Sequence, residues 1–520
     1  MYLIFDTETT GLPKNYNAPI SDTDNWPRAV QIAWQLHDEW GQLIEHKDYL
    51  IRPEGYDIPY DAERIHGIST QLAQEQGIPL ADVLIEFKEV LERSKFVVGQ
   101  NIGFDINIMG SEFYRLQVAN NLQEMPVLDT CTEATAELCK LPGGRGGKFK
   151  LPTLTELHQH LFNIPFGEAH NATADVEATT RCFFELMRVT DVFSPQELQQ
   201  KPQYLVEFRQ KNETEFQPIG LKHLNLKEES AKLKTQSEGG ISNSEIKENL
   251  QSLADATVVH LHNHTQFSVL QATSTLSDLV AKTAEFNMPA VAMTDTANMM
   301  GAFLFVKEVG IYNKKIKAAQ KEAEEKGEVF DKKTITLIIG CEFNVCENHK
   351  DKIKKDNGLQ IVLLAKNKNG YHNLAKLSSY AFVDGFYYVP RIDKKLIEQY
   401  KEDLIVLTGN LYGEIPSKIL NVGEKQAEEA LLWWKEQFGD DLYIEIMRHN
   451  QEDENRANQT LIKFSKDHNI KLVATNNTYY INQKDAEAHD ILLCVKDGEK
   501  KDTPIGRGRG YRYGMPNKEY

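Results

Sequence analysis

A chain of 520 residues is too long for one hydrophobic core, since domains run to roughly 50–200 residues, so two or three are expected. Apolar residues make up 41% and charged residues 26%, a globular composition that excludes disordered and fibrous classes, and no apolar run approaches the roughly 18 residues that cross a bilayer. The net charge of −17 excludes nucleic-acid binding by whole-chain attraction; if the protein handles DNA or RNA, metal ions or local basic segments must supply the positive field.

The chain opens on Met1-Tyr2-Leu3-Ile4-Phe5-Asp6 without a basic leader, and its six cysteines form no Cys-x-x-Cys pair. Neither a secretory signal, a disulfide framework nor a zinc site is expected, and a reducing, cytoplasmic location without a membrane partner follows.

Residues 1–192 alternate strands with helices. The apolar patterns predict strands at Tyr2–Asp6, Ala29–Leu36, Lys47–Ile51, Phe96–Gly99 and Pro126–Leu128, and helices at Ala81–Leu91, Phe104–Leu116, Leu154–Leu161 and Ala172–Val189. Three strands in succession, then mixed elements, imply an α/β domain with a mixed sheet and helices on both faces. From 193 to 255 the texture turns to Gln, Glu, Lys and Ser after Ser194-Pro195, the composition of a charged, solvated tether. From 256 to 520 a second alternation predicts strands at Val258–His262, Ala290–Met293, Ile335–Ile339, Gln360–Leu364, Leu404–Leu407, Leu442–Ile446 and Leu472–Ala474. Strand-helix units of this kind predict a parallel sheet or barrel with its site at the C-terminal strand ends.

In the first domain Asp6 and Glu8 stand two apart in a strand, so both carboxylates share one face. By itself such a pair is ordinary at a solvated strand end. Asp105 begins a helix just after a strand, where the helix dipole alone favours a carboxylate. Asp175 follows His170 by five positions, which in continuous helix would separate the side chains by roughly 140°. For both to face one site, His170 must precede the helix, with Asn171 or Thr173 near its cap. Four converging carboxylates would repel one another, and two divalent ions would remove the conflict while clamping an in-line displacement at phosphorus. A histidine titrating near neutrality suits the general base.

The segments Phe5-Asp6-Thr7-Glu8-Thr9-Thr10-Gly11, Asn101-Ile102-Gly103-Phe104-Asp105 and His170 through Asp175 resemble the three motifs of the DEDDh 3′→5′ exonucleases, of the epsilon proofreading type. The resemblance implies a ribonuclease-H-like fold, two Mg2+ or Mn2+ ions, Asp6, Glu8, Asp105 and Asp175 as ligands, and His170 as base.

In the second domain Val259-His260-Leu261-His262-Asn263-His264 offers three alternating histidines, equally consistent with metal ligands and with a surface cluster. Met293-Thr294-Asp295, Gly340-Cys341-Glu342 and Val473-Ala474-Thr475-Asn476 each close an apolar run. These segments, with Ala488-His489-Asp490-Ile491-Leu492-Leu493-Cys494, resemble the polymerase-and-histidinol-phosphatase (PHP) domain that opens bacterial DNA polymerase III alpha chains. The resemblance implies a distorted seven-stranded (βα)7 barrel whose active members carry about nine metal ligands. Only His262, His264 and Glu342 match ligand positions, while Gln271, Thr296, Gln360, Asn410, Asn477 and Tyr479 stand where the family places Asp, His or Cys. Amides and hydroxyls are poor replacements for carboxylate and imidazole, so a degenerate site, no PHP cofactor and a non-catalytic scaffold are expected.

Two basic stretches are candidate nucleic-acid contacts: Arg145 and Lys148 in a Gly-rich loop that lacks the spacing of a P-loop, and Arg507, Arg509 and Tyr511 near the end, with a flexible surface loop as the plain alternative for the latter. Trp433-Trp434 is expected to bury at least one ring. The expected function is proofreading of a DNA primer 3′ end within a replicative polymerase alpha chain, beside a polymerase body and replisome subunits such as the sliding clamp and clamp loader. The alternatives are an independent exonuclease on single-stranded DNA or RNA, and a barrel serving as a binding platform for replisome partners.

Overall fold

The computed structural model of the chain describes residues 1–143, 148–164, 166, 170–221, 225–237, 258–506, 511–515 and 517. It divides into two compact units, Met1–Gly240 and Ile241–Tyr520. All six cysteines are free, and among the described residues no helix is long and apolar enough to cross a membrane.

In the first unit β1 (Tyr2–Thr9), β2 (Ala29–His37) and β3 (Leu43–Leu50) form an antiparallel meander. On the other side of β1 lie β4 (Phe96–Gly99) and β5 (Val127–Asp129), both parallel to it, in the order β3-β2-β1-β4-β5. The central strand feeds two cores because successive side chains alternate. Leu3 and Phe5 pack with Ile32 and Trp34 against Phe87 of the helix Leu80–Arg93 and Phe113 of the helix Gly103–Arg115. Tyr2 and Ile4 pack against Phe183 and Phe184 of the helix Ala172–Val189. Each large ring so buried contributes about 1.5–3 kcal/mol on leaving water. The mixed sheet covered on both faces is the one expected.

The tether expected from residue 193 is in part core. Phe193, Leu198, Tyr204, Leu205 and Phe208 are buried with the Ala172–Val189 helix, and the Tyr2 and Tyr204 hydroxyls lie 3.2 Å apart. A helix Tyr204–Lys211 presents Tyr204, Leu205 and Phe208 inward, and its Glu207, Gln210 and Lys211 face outward. A further helix, Leu226–Ser237, buries Leu226 among Val30, Ile68 and Leu72.

The second unit holds β6 (Ala290–Met293), β7 (Thr336–Cys346), β8 (Leu359–Ala365), β9 (Ile392–Asp393), β10 (Leu404–Leu407), β11 (Leu442–Ile446) and β12 (Lys471–Ala474). The order is β12-β11-β10-β8-β7-β6, with β9 paired to β7. The sheet is not uniformly parallel, because β8 runs antiparallel to both β7 and β10. The β7–β8 connection, residues 347–358, contains no helix, so the chain turns back as a wide hairpin and makes no crossover. β7 also continues past Glu342, placing that carboxylate within the strand and not at its end, because Phe343–Val345 keep pairing with Leu359–Ile361.

The stretch 258–262, expected as a strand, makes isolated bridges only. Its carbonyls reach both ways: Ala292 N–H donates to His260 O at 3.0 Å and Thr478 N–H to His262 O at 3.1 Å. The segment thereby joins β6 to the chain after β12 and curls the sheet towards a barrel. Ala292, Val362, Leu364 and Leu407 fill the interior at one level. The period of two carries the interior face from Ile338 to Glu342 and from Tyr443 to Glu445, so a polar layer lies above the apolar one. Outside, Trp434 is fully buried and donates from Nε1 to Glu414 at 2.8 Å, as expected of the Trp pair.

Candidate active site

In the first unit β1 carries Asp6 and Glu8 on one face. The helix Ala172–Val189 brings in Asp175, and ligand atoms of the three carboxylates lie within 4.8 Å of one another. The helix starts where the geometry requires: Asn171 is its cap, its side chain accepting from Thr173 N–H at 3.1 Å. His170 precedes the helix in a left-handed conformation with φ 71°, and its main-chain N–H donates to Asp175 Oδ2 at 3.0 Å. A left-handed residue just before the cap turns His170 back over the first turn, so residues five apart share one locale.

Asp105 joins through β1 itself. β4 stops at Gly99, and beyond it the Thr7 N–H and hydroxyl donate to Asp105 Oδ1 at 3.0 and 2.6 Å. Asp105 is buried in the first turn of its helix. Asp129, which the motif reading passed over, holds the turn beneath it by accepting from Asn101 and Cys131 N–H at 2.8 and 2.7 Å.

Burial pushes all four carboxyls up, and repulsion within the set adds to it for Asp6 and Glu8. Asp6 stands well above the carboxylate range through burial and then the charges of Asp105, Asp175 and Glu8. Glu8 is raised to about 8 by burial and then by Asp175 and Asp105. Asp105 is raised to about 7 by burial despite its bonds from Thr7, and Asp175 to about 7 by burial despite the N–H groups of His170 and Asn171. Such a set is charge-frustrated by itself and complementary to divalent cations, so Asp6, Glu8 and Asp175 fit a metal, with Asp105 beside them. Burial, then the charge of Lys227, lowers the His170 imidazole, which favours its neutral form.

His66 is a further neighbour the motifs did not reveal. It is buried, accepts from Ile68 N–H at Nδ1 (3.0 Å), and is lowered to about 4 by burial. A histidine inside Ile65-His66-Gly67-Ile68 was the available signal.

The second unit gathers His262, His264 and Glu342, fully buried, with one ligand atom from each within 4.8 Å of the others. Both His262 nitrogens are already engaged, Nδ1 with Glu445 Oε1 at 2.8 Å and Nε2 with Glu342 Oε2 at 3.1 Å. Burial alone would push this imidazole down, but Glu445 and Glu342 outweigh it and hold it at about 10. Three of the noted replacements meet this layer. Asn477 Oδ1 lies 3.0 Å from His264 Nε2, Tyr479 stacks on the His264 ring at 4.4 Å, and Thr296 donates to Glu342 at 3.2 Å. The Gln271 carbonyl accepts from His489 Nε2 at 2.7 Å, and its N–H donates to Ser268 O at 2.9 Å. Gln360 Oε1 and Asn410 Nδ2 are buried without partners among the described residues. Glu445 was missed, although a lone carboxylate within Leu442–Ile446 signals an inward polar residue.

Of the basic candidates, Lys148 is exposed and pairs with Glu133 at 2.5 Å, and Tyr511 is half exposed. Arg145, Arg507 and Arg509 lie outside the described residues. Arg512 in the same stretch is held in a bidentate pair with Asp490 at 2.7 and 2.8 Å.

The Exonuclease family profile matches residues 3–183, and the PHP domain profile matches residues 260–449. Over the PHP region the chain is similar to DNA polymerase III alpha subunits. Identity is 37% over 247 residues for that of Borreliella burgdorferi, covering 47% of this chain and 20% of the relative. It is 37% over 239 residues for Aquifex aeolicus, covering 46% and 20%, and 35% over 252 residues for Thermus aquaticus, covering 47% and 19%. The matches thus span about a fifth of the length of these relatives. Similar solved structures include E. coli Exonuclease I with a dA16 oligonucleotide, at TM-score 0.31 and 21% identity over 38% of this chain and 42% of that one. The zinc-bound Exonuclease I complex with single-stranded DNA gives TM-score 0.31 and 24% identity over 38% and 42%. The chain joins an N-terminal domain that matches the Exonuclease family to a PHP domain similar to those of DNA polymerase III alpha subunits.

Proposed function

We propose that the first unit removes nucleotides from the 3′ end of DNA as the proofreading 3′→5′ exonuclease of a replicative DNA polymerase III alpha chain in the cytoplasm. The observation that carries this is the convergence of Asp6, Glu8 and Asp175 within 4.8 Å, with Asp105 held on Thr7 and the His170 main chain on Asp175. The four carboxylates would hold two divalent ions, Mg2+ or Mn2+, which supply charge stabilisation for the attacking and leaving oxygens. His170 takes a proton from the attacking water at an imidazole nitrogen. The water oxygen bonds to phosphorus, the bond from phosphorus to the 3′ oxygen of the shortened strand breaks, that oxygen takes up a proton, and a nucleoside 5′-monophosphate leaves. Its main-chain N–H meanwhile holds Asp175, which fixes the distance between base and metal-binding carboxylate.

The PHP domain, from about residue 256, acts as a scaffold without hydrolytic activity. This is supported by the engagement of both His262 nitrogens with carboxylates and by the Asn477, Tyr479 and Thr296 side chains that complete the layer in place of further ligands. In this setting its partners are the polymerase body, sliding clamp and clamp loader. A 5′-labelled mispaired primer incubated with the whole chain and Mg2+ should shorten stepwise from its 3′ end, and Asp175→Ala should stop it. Shortening that persists in the variant would assign hydrolysis to the barrel.

A further inference from the structure

The helix Leu226–Ser237 lies beyond residues 3–183 of the exonuclease match, yet it is seated on that domain. Leu226 is buried among Val30, Ile58, Ala62, Ile68, Leu72 and Ala73. The Ser230 hydroxyl donates to Gly67 O at 2.6 Å and accepts from Ser69 N–H at 3.2 Å. Gly67 ends the helix Tyr60–His66 with φ 81°, and a Cβ placed on it would come within 2.5 Å of Lys227 Cγ. The close approach and the left-handed backbone therefore both demand glycine, and the Lys227 stem is fixed over this turn.

The turn borders the acidic site. Leu226 packs on Val30 of β2, and the next residue of that strand, Gln31, stands opposite Glu8 in the sheet; beside burial, the Lys227 charge accordingly lowers both His66 and His170. Lys227 is exposed and, among the described residues, has no carboxylate partner, whereas Lys232 on the same helix pairs with Glu229 at 2.6 Å. An unpaired cation on an anchored stem, at the rim of a site built from carboxylates, is suited to a polyanion arriving there.

We propose that Lys227 grips the phosphodiester backbone of the strand entering the acidic site, making the helix Leu226–Ser237 part of the nuclease's substrate-binding surface. This rests on the nuclease reading above. One phosphate contact on a single strand releases ~0.7 of a counterion, so its loss should cost about fivefold in affinity at 0.1 M salt.

The test is steady-state cleavage of a 5′-labelled single-stranded DNA by the whole chain with Mg2+, across a KCl series, for wild type, Lys227→Met and Lys227→Arg. The methionine keeps an unbranched stem over Gly67 without the charge. Lys227→Met is expected to raise KM about fivefold with kcat little changed, and to flatten the slope of log(kcat/KM) against log[KCl] by about 0.7. Lys227→Arg is expected to restore both. A Met variant with wild-type KM and slope overturns the inference while leaving the nuclease reading intact. So does a loss of kcat that arginine fails to rescue and that accompanies a lower Tm, since that marks packing alone. A wild-type chain that leaves the strand uncut overturns the nuclease reading, and the inference with it.

Discussion

The main-chain N–H of His170 donates to Asp175 Oδ2 at 3.0 Å, tying the candidate base to a carboxylate of the proposed metal site across the first turn of one helix. Asn171 sits between them as the cap, so cap and site are one structural unit. Asn171→Ala should cost about 0.5–2 kcal/mol of stability, the usual loss for a cap. Nuclease activity should fall by more than that, because both groups move with the cap. Thermal melts set beside primer-cleavage rates check this; equal small losses in both would mean the cap does not position the site.

Replacing Asp6 or Asp175 by Ala should abolish cleavage with the fold retained, as read by near-UV circular dichroism. Removing one like charge from a frustrated set should leave the metal-free protein no less stable, and even raise its Tm.

His170→Ala should slow cleavage by about 10²–10⁴-fold through loss of general-base catalysis. The Asp175 contact comes from the backbone, so divalent-ion affinity should stay near wild type. Isothermal titration with Mn2+ separates the two effects, and a matching loss of metal affinity would contradict the base role.

The raised carboxyls set a pH dependence of known sign. Glu8 at about 8 and Asp105 and Asp175 at about 7 lie above the ordinary value near 4, so between these limits the folded state binds more protons than the unfolded one. Stability of the metal-free protein should therefore fall as pH rises from about 5 to about 8. Divalent ions relieve the repulsion, so Mg2+ should raise Tm more at pH 8 than at pH 5, by roughly 5 °C or more. Scanning calorimetry with EDTA or Mg2+ at both values reads this directly, and a pH-independent Tm in EDTA would exclude it.

In the second unit, Glu445→Gln should destabilise by about 3–5 kcal/mol, since it leaves the buried His262 charge half-compensated. His262, held at about 10, contributes stability that is complete below its ordinary value near 6.5 and is lost as pH rises through about 10. The variant should therefore differ most from wild type near neutral pH and converge with it at high pH. Elemental analysis of the whole chain in the Asp6→Ala background should find no stoichiometric metal in the PHP domain; tightly held ions there would refute the scaffold reading.

Local periodicity and local chemistry were legible in the amino-acid sequence. The period of two placed Asp6 and Glu8 on one face of β1, apolar spacing located the five strands and four of the helices of the first unit, and the five-residue step from His170 to Asp175 demanded a cap that Asn171 supplies. Interactions within a few residues of each other depend little on the rest of the chain. The tertiary structure decided what lies far apart in sequence. Asp105 reaches β1 only because β4 ends one turn before its helix, and Glu445 meets His262 only because the curled sheet brings β11 opposite the 258–264 segment. It also drew residues 193–211 and 226–230 out of an apparently polar tether, burying Phe208 and Leu226 and standing Lys227 over Gly67. Composition averages over such a segment, whereas packing selects the few apolar side chains that turn inward, and that selection exists only once there is a surface to receive them.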